Sequence, residues 1–90
     1  MKLKGEFILR EVAGETLLIP VGETALKMNG MITLDPVAAE IWKLLQQNAD
    51  RAAILGNILS RFDVDEATAG KDLDEFLTQM RENGLLEDDG

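Results

Sequence analysis

Ninety residues, 46% of them apolar, suffice for one domain with a modest hydrophobic core and are too hydrophobic for a disordered chain. The absence of cysteine excludes a disulfide framework and a thiolate zinc site. The net charge of −8 resides in the last third: residues 63–90 carry ten acidic and two basic side chains, a balance that disfavours phosphate-bearing partners. No apolar run approaches the ~20 residues that cross a bilayer, and no signal-peptide segment follows Met1-Lys2-Leu3-Lys4. A soluble cytoplasmic protein with no membrane partner is expected.

In chain order, Phe7 to Ala13 alternates as a strand, with Phe7, Leu9 and Glu11 on one side and Ile8, Arg10 and Val12 on the other. Ala13-Gly14-Glu15 reads as a tight turn and Thr16 to Val21 as the hairpin partner, with Pro20 at a strand end because it cannot donate to a ladder. For Gly22 to Asn29 the favoured reading is a loop with a short extended piece. The hairpin signal Asn29-Gly30 would instead pair residues 25–28 with Met31–Leu34. Gly30 to Leu34 is a third strand, with Ile32 and Leu34 on one face and Met31 and Thr33 on the other.

The strand turns into a helix within two residues. Asp35 is suited to cap it and Pro36 to occupy its first turn, where the missing N–H costs nothing. Val37, Ala38, Ile41, Trp42, Leu44 and Leu45 form its apolar stripe, over about residues 36–47. Asn48-Ala49-Asp50 breaks it, and Asp50 caps a second helix over 51–62 with Ile54, Leu55, Ile58, Leu59 and Phe62 inward. Asp65 caps a third over 66–83, with Ala69, Leu73, Phe76, Leu77 and Met80 inward. Gly84 ends it in a left-handed conformation and Leu85 folds back against it. Three antiparallel strands followed by a three-helix bundle make an α+β domain over residues 1–86, winged helix-turn-helix-like in outline, with a disordered acidic tail at 87–90.

The inventory for chemistry is thin. The chain has no histidine, cysteine or tyrosine, so most general bases and nucleophiles are missing. Ser60, the only serine, has no base beside it. Asp63, Asp65 and Glu66 lack the further ligands of a calcium loop and are better read as capping residues. No glycine motif could cradle a phosphate, and Asp35-Pro36-Val37-Ala38 is not the Asp-Ser-Leu attachment site of a carrier protein. No enzyme, cofactor or metal site is expected. The third helix sets Lys71 and Arg81 against Glu66, Asp72, Asp74, Glu75 and Glu82, the wrong sign for a recognition helix, so DNA binding ranks third among the readings.

Binding of peptide or protein remains. A three-stranded sheet has two edges, and Gly30–Leu34 has neither charge nor proline to repel an incoming strand. It can take a guest by β-augmentation, with backbone hydrogen bonds giving affinity and side-chain pockets giving selectivity. The alternative is that both sides of this strand are already paired.

The order and spacing of several segments resemble the PqqD family, named for a pyrroloquinoline quinone biosynthesis protein. They are Phe7-Ile8-Leu9-Arg10-Glu11-Val12-Ala13-Gly14-Glu15, Gly30-Met31-Ile32-Thr33-Leu34-Asp35, Ile41-Trp42-Lys43-Leu44-Leu45, Phe62-Asp63-Val64-Asp65-Glu66, Asp72-Leu73, Phe76-Leu77 and Asn83-Gly84-Leu85-Leu86. The resemblance covers nearly the whole chain. Asp35 stands where the family commonly has asparagine, and both residues cap.

The resemblance implies a non-catalytic peptide-recognition element for ribosomally made, post-translationally modified peptides. It would bind the leader of a precursor peptide as an extra strand and present it to a maturation enzyme, often a radical S-adenosylmethionine enzyme. Carried onto this chain, the guest would pair with Gly30, Met31, Ile32, Thr33 and Leu34, and its side chains would enter a cleft walled by Asp72, Glu75, Phe76 and Gln79. Met31 and Thr33 are expected nearest those side chains. The acidic face at Asp72 and Glu75 leads us to expect Lys or Arg on the guest or on the enzyme. The second reading is a protein–protein adaptor or dimerisation module using the same edge, and the chain would be a monomer or homodimer. Trp42 is expected to be a core or cleft-wall residue rather than a contact.

Overall fold

The computed structural model describes residues 2–28 and 30–87. Its centre is an antiparallel sheet of β2 (Phe7–Val12), β3 (Glu15–Pro20) and β4 (Ile32–Leu34), in that order. Val12 pairs with Glu15, so only Ala13 and Gly14 turn the chain, both at positive φ (52° and 82°), as the tightest hairpin connection requires. Leu18 pairs with Ile32 and Thr16 with Leu34, which sets β4 along β3. The expected α+β arrangement is the observed one.

Three helices follow: α2 (Pro36–Gln46), α3 (Arg51–Arg61) and α4 (Glu66–Glu82). Each starts at an aspartate whose carboxylate accepts a backbone N–H three residues on: Asp35 from Ala38 at 2.8 Å, Asp50 from Ala53 at 2.8 Å, Asp65 from Thr68 at 2.7 Å. At the end of α4 the Leu85 N–H donates to the Met80 carbonyl and the Gly84 N–H to that of Arg81, with Gly84 at φ 72°. This pair of bonds closes the helix and buries Leu85 against it. Asn48, left-handed at φ 59°, ends α2 in the same way.

The helices cover one face of the sheet. Leu18 and Leu34 meet Ile41, Trp42 and Leu45 of α2, Ile54 and Ile58 of α3, and Leu73, Leu77 and Met80 of α4 in a single core. Gly56 lies outside it: a Cβ added there would meet nothing within 4 Å. Gly56→Ala should therefore raise stability by about 0.5–1 kcal/mol, seen as a higher urea midpoint with an unchanged slope.

Two features depart from the sequence reading. Residues 22–27 form a short helix, α1 (Gly22–Lys27), rather than a loop or strand, and Asn29 lies outside the described residues. No apolar stripe announced α1, because what fixes it is polar. Thr24 is buried and its Oγ1 accepts the Glu6 N–H at 2.7 Å, while Leu26 points away at 87% exposure. Glu23 in the first turn and Lys27 in the last suit the helix dipole. Second, the first and last described strands pair. β1 (Lys2–Leu3) and β5 (Leu86–Glu87) form an antiparallel ribbon, extended by a 2.7 Å bond from the Lys4 N–H to the Leu85 carbonyl. Glu87, expected to begin the tail, thus belongs to a strand, and Asp88 to Gly90 lie outside the described residues.

Candidate functional site

The sheet order leaves β4 as an edge strand, paired on one side only among the described residues. Which of its backbone groups face outward follows from the hairpin. A two-residue turn makes the flanking pair Val12–Glu15 hydrogen-bonded, and alternation then turns the backbone groups of Thr16 and Leu18 toward β4. Their partners Leu34 and Ile32 face back to β3, so Thr33 presents both its N–H and its C=O to the free edge. The opposite edge strand, β2, carries Arg10 and Glu11, charges of the kind that discourage pairing. Ile32–Leu34 carries none.

Beside this edge lies a cleft of about 320 Å³ between β4, the start of α2 and the middle of α4. Ile32, Leu34, Val37, Ala38, Ile41 and Phe76 give it an apolar lining. Asp72, Glu75 and Gln79 of α4 form one wall, Thr33 and Asp35 the strand side, and among the described residues no cation lines it. Asp35 is spoken for by the cap at Ala38, while Asp72 and Glu75 are exposed. An extended segment laid on β4 would exchange backbone hydrogen bonds with Thr33 and send alternate side chains into this cleft.

The model of the family described as Coenzyme PQQ synthesis protein D (PqqD) matches residues 15–86. The chain belongs to the PqqD family. No curated protein matches it. Among solved structures, this PqqD-family chain is similar to that of TbiB1 in complex with the TbiA(beta) leader peptide, at 26% identity and a TM-score of 0.74 over 100% of this chain and 99% of that one. It shares its fold with lasso peptide synthetase B1 complexed with the leader peptide, at 20% identity and a TM-score of 0.70 over 93% of each chain.

Of the residues singled out from sequence, Ile32, Thr33, Leu34, Asp72, Glu75, Phe76 and Gln79 of this PqqD-family chain come together on the cleft. Gly30 and Met31 do not line it; they precede β4, and Met31 is 59% exposed. The face that looks into the cleft is that of Ile32 and Leu34, with Thr33 contributing its backbone edge. Trp42 is buried in the core, its ring edge-on to Phe7 at 5.2 Å. Sequence reasoning missed Val37, Ala38 and Ile41 as cleft residues. Their signal was present: a helix that starts immediately after Asp35-Pro36 must run back beside the strand it has just left.

The α4 wall is held in place by polar contacts at its N-terminal half. Arg51 of α3 grips Asp74 with two bonds, Nε to Oδ1 at 2.8 Å and Nη2 to Oδ2 at 3.0 Å, and Asp65 caps the helix. The guanidinium hydrogen bonds hold the Asp74 carboxyl below its usual range, and the Thr68 N–H does the same for Asp65. A carboxyl whose value is lowered by folding contributes stability above its unfolded value, near 3.9, and loses it as pH falls through the folded one. Thermal midpoints are therefore expected to drop below about pH 4. In Asp65→Asn and Asp74→Asn variants that acid drop should be shallower, from a lower midpoint at pH 7.

Proposed function

We propose that this chain captures the leader segment of a ribosomally made precursor peptide as a strand on β4 and presents it to a separate maturation enzyme, itself doing no chemistry. The observation that carries this is the open, uncharged edge at Thr33 set directly beside an apolar cleft walled by α4. The likeness to TbiB1, whose structure holds a leader peptide, supports the reading. With only three residues in β4, backbone pairing alone gives little affinity, so apolar side chains of the guest must supply most of it from the cleft.

The test is a titration followed by amide NMR shifts, with precursor leader peptides and a maturation enzyme encoded nearby. Shifts concentrated on Ile32–Leu34 and Lys71–Met80, with new protection of the Thr33 amide, are expected. A Thr33 amide already protected in the free protein and unmoved by every leader would overturn the reading. Because Asp72 and Glu75 are the free charges of the cleft, the guest should carry Lys or Arg opposite them. Asp72→Asn with Glu75→Gln should weaken binding roughly three- to tenfold at low salt and flatten its salt dependence. Equal affinity in the double variant would remove the basic requirement.

A second reading, a self-associating adaptor, draws on Ile8, Val12 and Met31, large apolar side chains exposed at 42%, 52% and 59%. It requires a concentration-dependent dimer in sedimentation, dissolved by proline at the β4 edge.

A further inference from the structure

The segments around β1, α1 and β5, the parts not anticipated from sequence, line a second hollow of about 490 Å³ with the opposite charge among the described residues. Lys2, Lys4 and Lys27 line it, three of the nine cationic side chains of a protein whose net charge is −8. Among the described residues Glu87 is the one carboxylate on it, and Lys4 holds it at 2.9 Å. Among the described residues no carboxylate is ion-paired with Lys2 or Lys27. The hollow lies at the C-terminal end of α4, roughly 16 Å along the helix from Asp72 at the usual rise per residue. The family match begins at residue 15, so Lys2 and Lys4 fall outside it.

With Lys4 compensated by Glu87, Lys2 and Lys27 remain as like charges on one hollow, and an anion seated there would relieve their repulsion. Lysine alone would serve a phosphate or a carboxylate equally. The rest of the hollow does not: Met28 and Leu85 line it with apolar surface. Apolar surface offers a phosphate nothing, whereas it suits side chains that flank carboxylates along a peptide. We propose that this hollow docks an acidic segment of a partner protein with apolar side chains between its carboxylates, independently of whatever occupies the cleft at β4. The molecule then has two binding faces of opposite sign, a basic guest going to the α4 wall and an acidic partner to the lysines.

The experiment uses the full chain and a short peptide alternating Glu with Leu, with the Lys-for-Glu version of that peptide, inorganic phosphate and a short DNA duplex as comparisons. The acidic peptide should shift amides of Lys2–Gly5, Ala25–Met28 and Asn83–Glu87 and leave Thr33 unmoved. Lys2→Glu with Lys27→Glu should weaken it by roughly tenfold or more, with a steep salt dependence, while the fold and any leader binding at β4 are retained. No shift at these amides, or equal affinity in the charge-reversed variant, would overturn the proposal. Phosphate or DNA producing the same shifts as strongly would overturn it in favour of a phosphate site. Shifts that grow with protein concentration alone would replace the partner by the acidic α4 of a second copy.

Discussion

Thr33→Pro is expected to lower affinity for a guest strand by roughly ten- to a hundredfold while leaving the unfolding midpoint nearly unchanged. Proline removes the one β4 amide that faces the free edge, and its ring fills the space a partner strand must approach. The ladder to β3 is untouched, because the bonds to Thr16 and Leu18 use Leu34 and Ile32. The restriction that proline imposes on the preceding residue is already met, since Ile32 is extended in β4. Thr33→Val provides the contrast: it changes the side chain, keeps the N–H, and should bind as the parent does. Calorimetric titration with a leader peptide, alongside circular dichroism of both variants, checks the pair. Equal loss in both would assign the effect to the side chain, and loss in neither would remove β-augmentation as the mode of binding.

How far the sequence disclosed this arrangement depends on what holds each piece. The long helices were legible because each combines an aspartate cap with an apolar stripe, two local signals that agree; their ends at Gln46, Arg61 and Glu82 fall within a residue of expectation. The hairpin was legible because Gly14 marks it. Helix α1 was not, since a buried threonine eighteen residues from its partner Glu6 fixes it, and no periodicity records such a contact. The β1–β5 ribbon was illegible for a related reason. Two-residue strands carry no pattern, and their pairing joins segments far apart in the sequence. At the cleft, the residues of α4 could be read from helical spacing. Which face of β4 turns toward them is set by the register with β3, and the contribution of Val37, Ala38 and Ile41 by the sharp reversal at Pro36.

Trp42 separates the demands of the core from those of the cleft. The only tryptophan in the chain, it is 3% exposed and packs edge-on against Phe7 at an interplanar angle of 79°. It therefore ties α2 to the first strand of the sheet. Trp42→Ala leaves a cavity that the sheet and helices cannot close, at a cost of about 3–5 kcal/mol. A domain of this size has on the order of 0.05–0.15 kcal/mol per residue in total, so the variant should melt roughly 15–30 °C lower or fail to fold at physiological temperature. Trp42→Phe retains an aromatic ring facing Phe7 and should cost far less. Since Trp42 does not line the cleft while its neighbour Ile41 does, Trp42→Phe should bind a leader with unchanged affinity. Ile41→Ala should weaken both stability and binding. If Trp42→Phe lost binding at full stability, the ring would be reaching the guest, and the cleft floor would have to extend through α2 into what is otherwise the centre of the core.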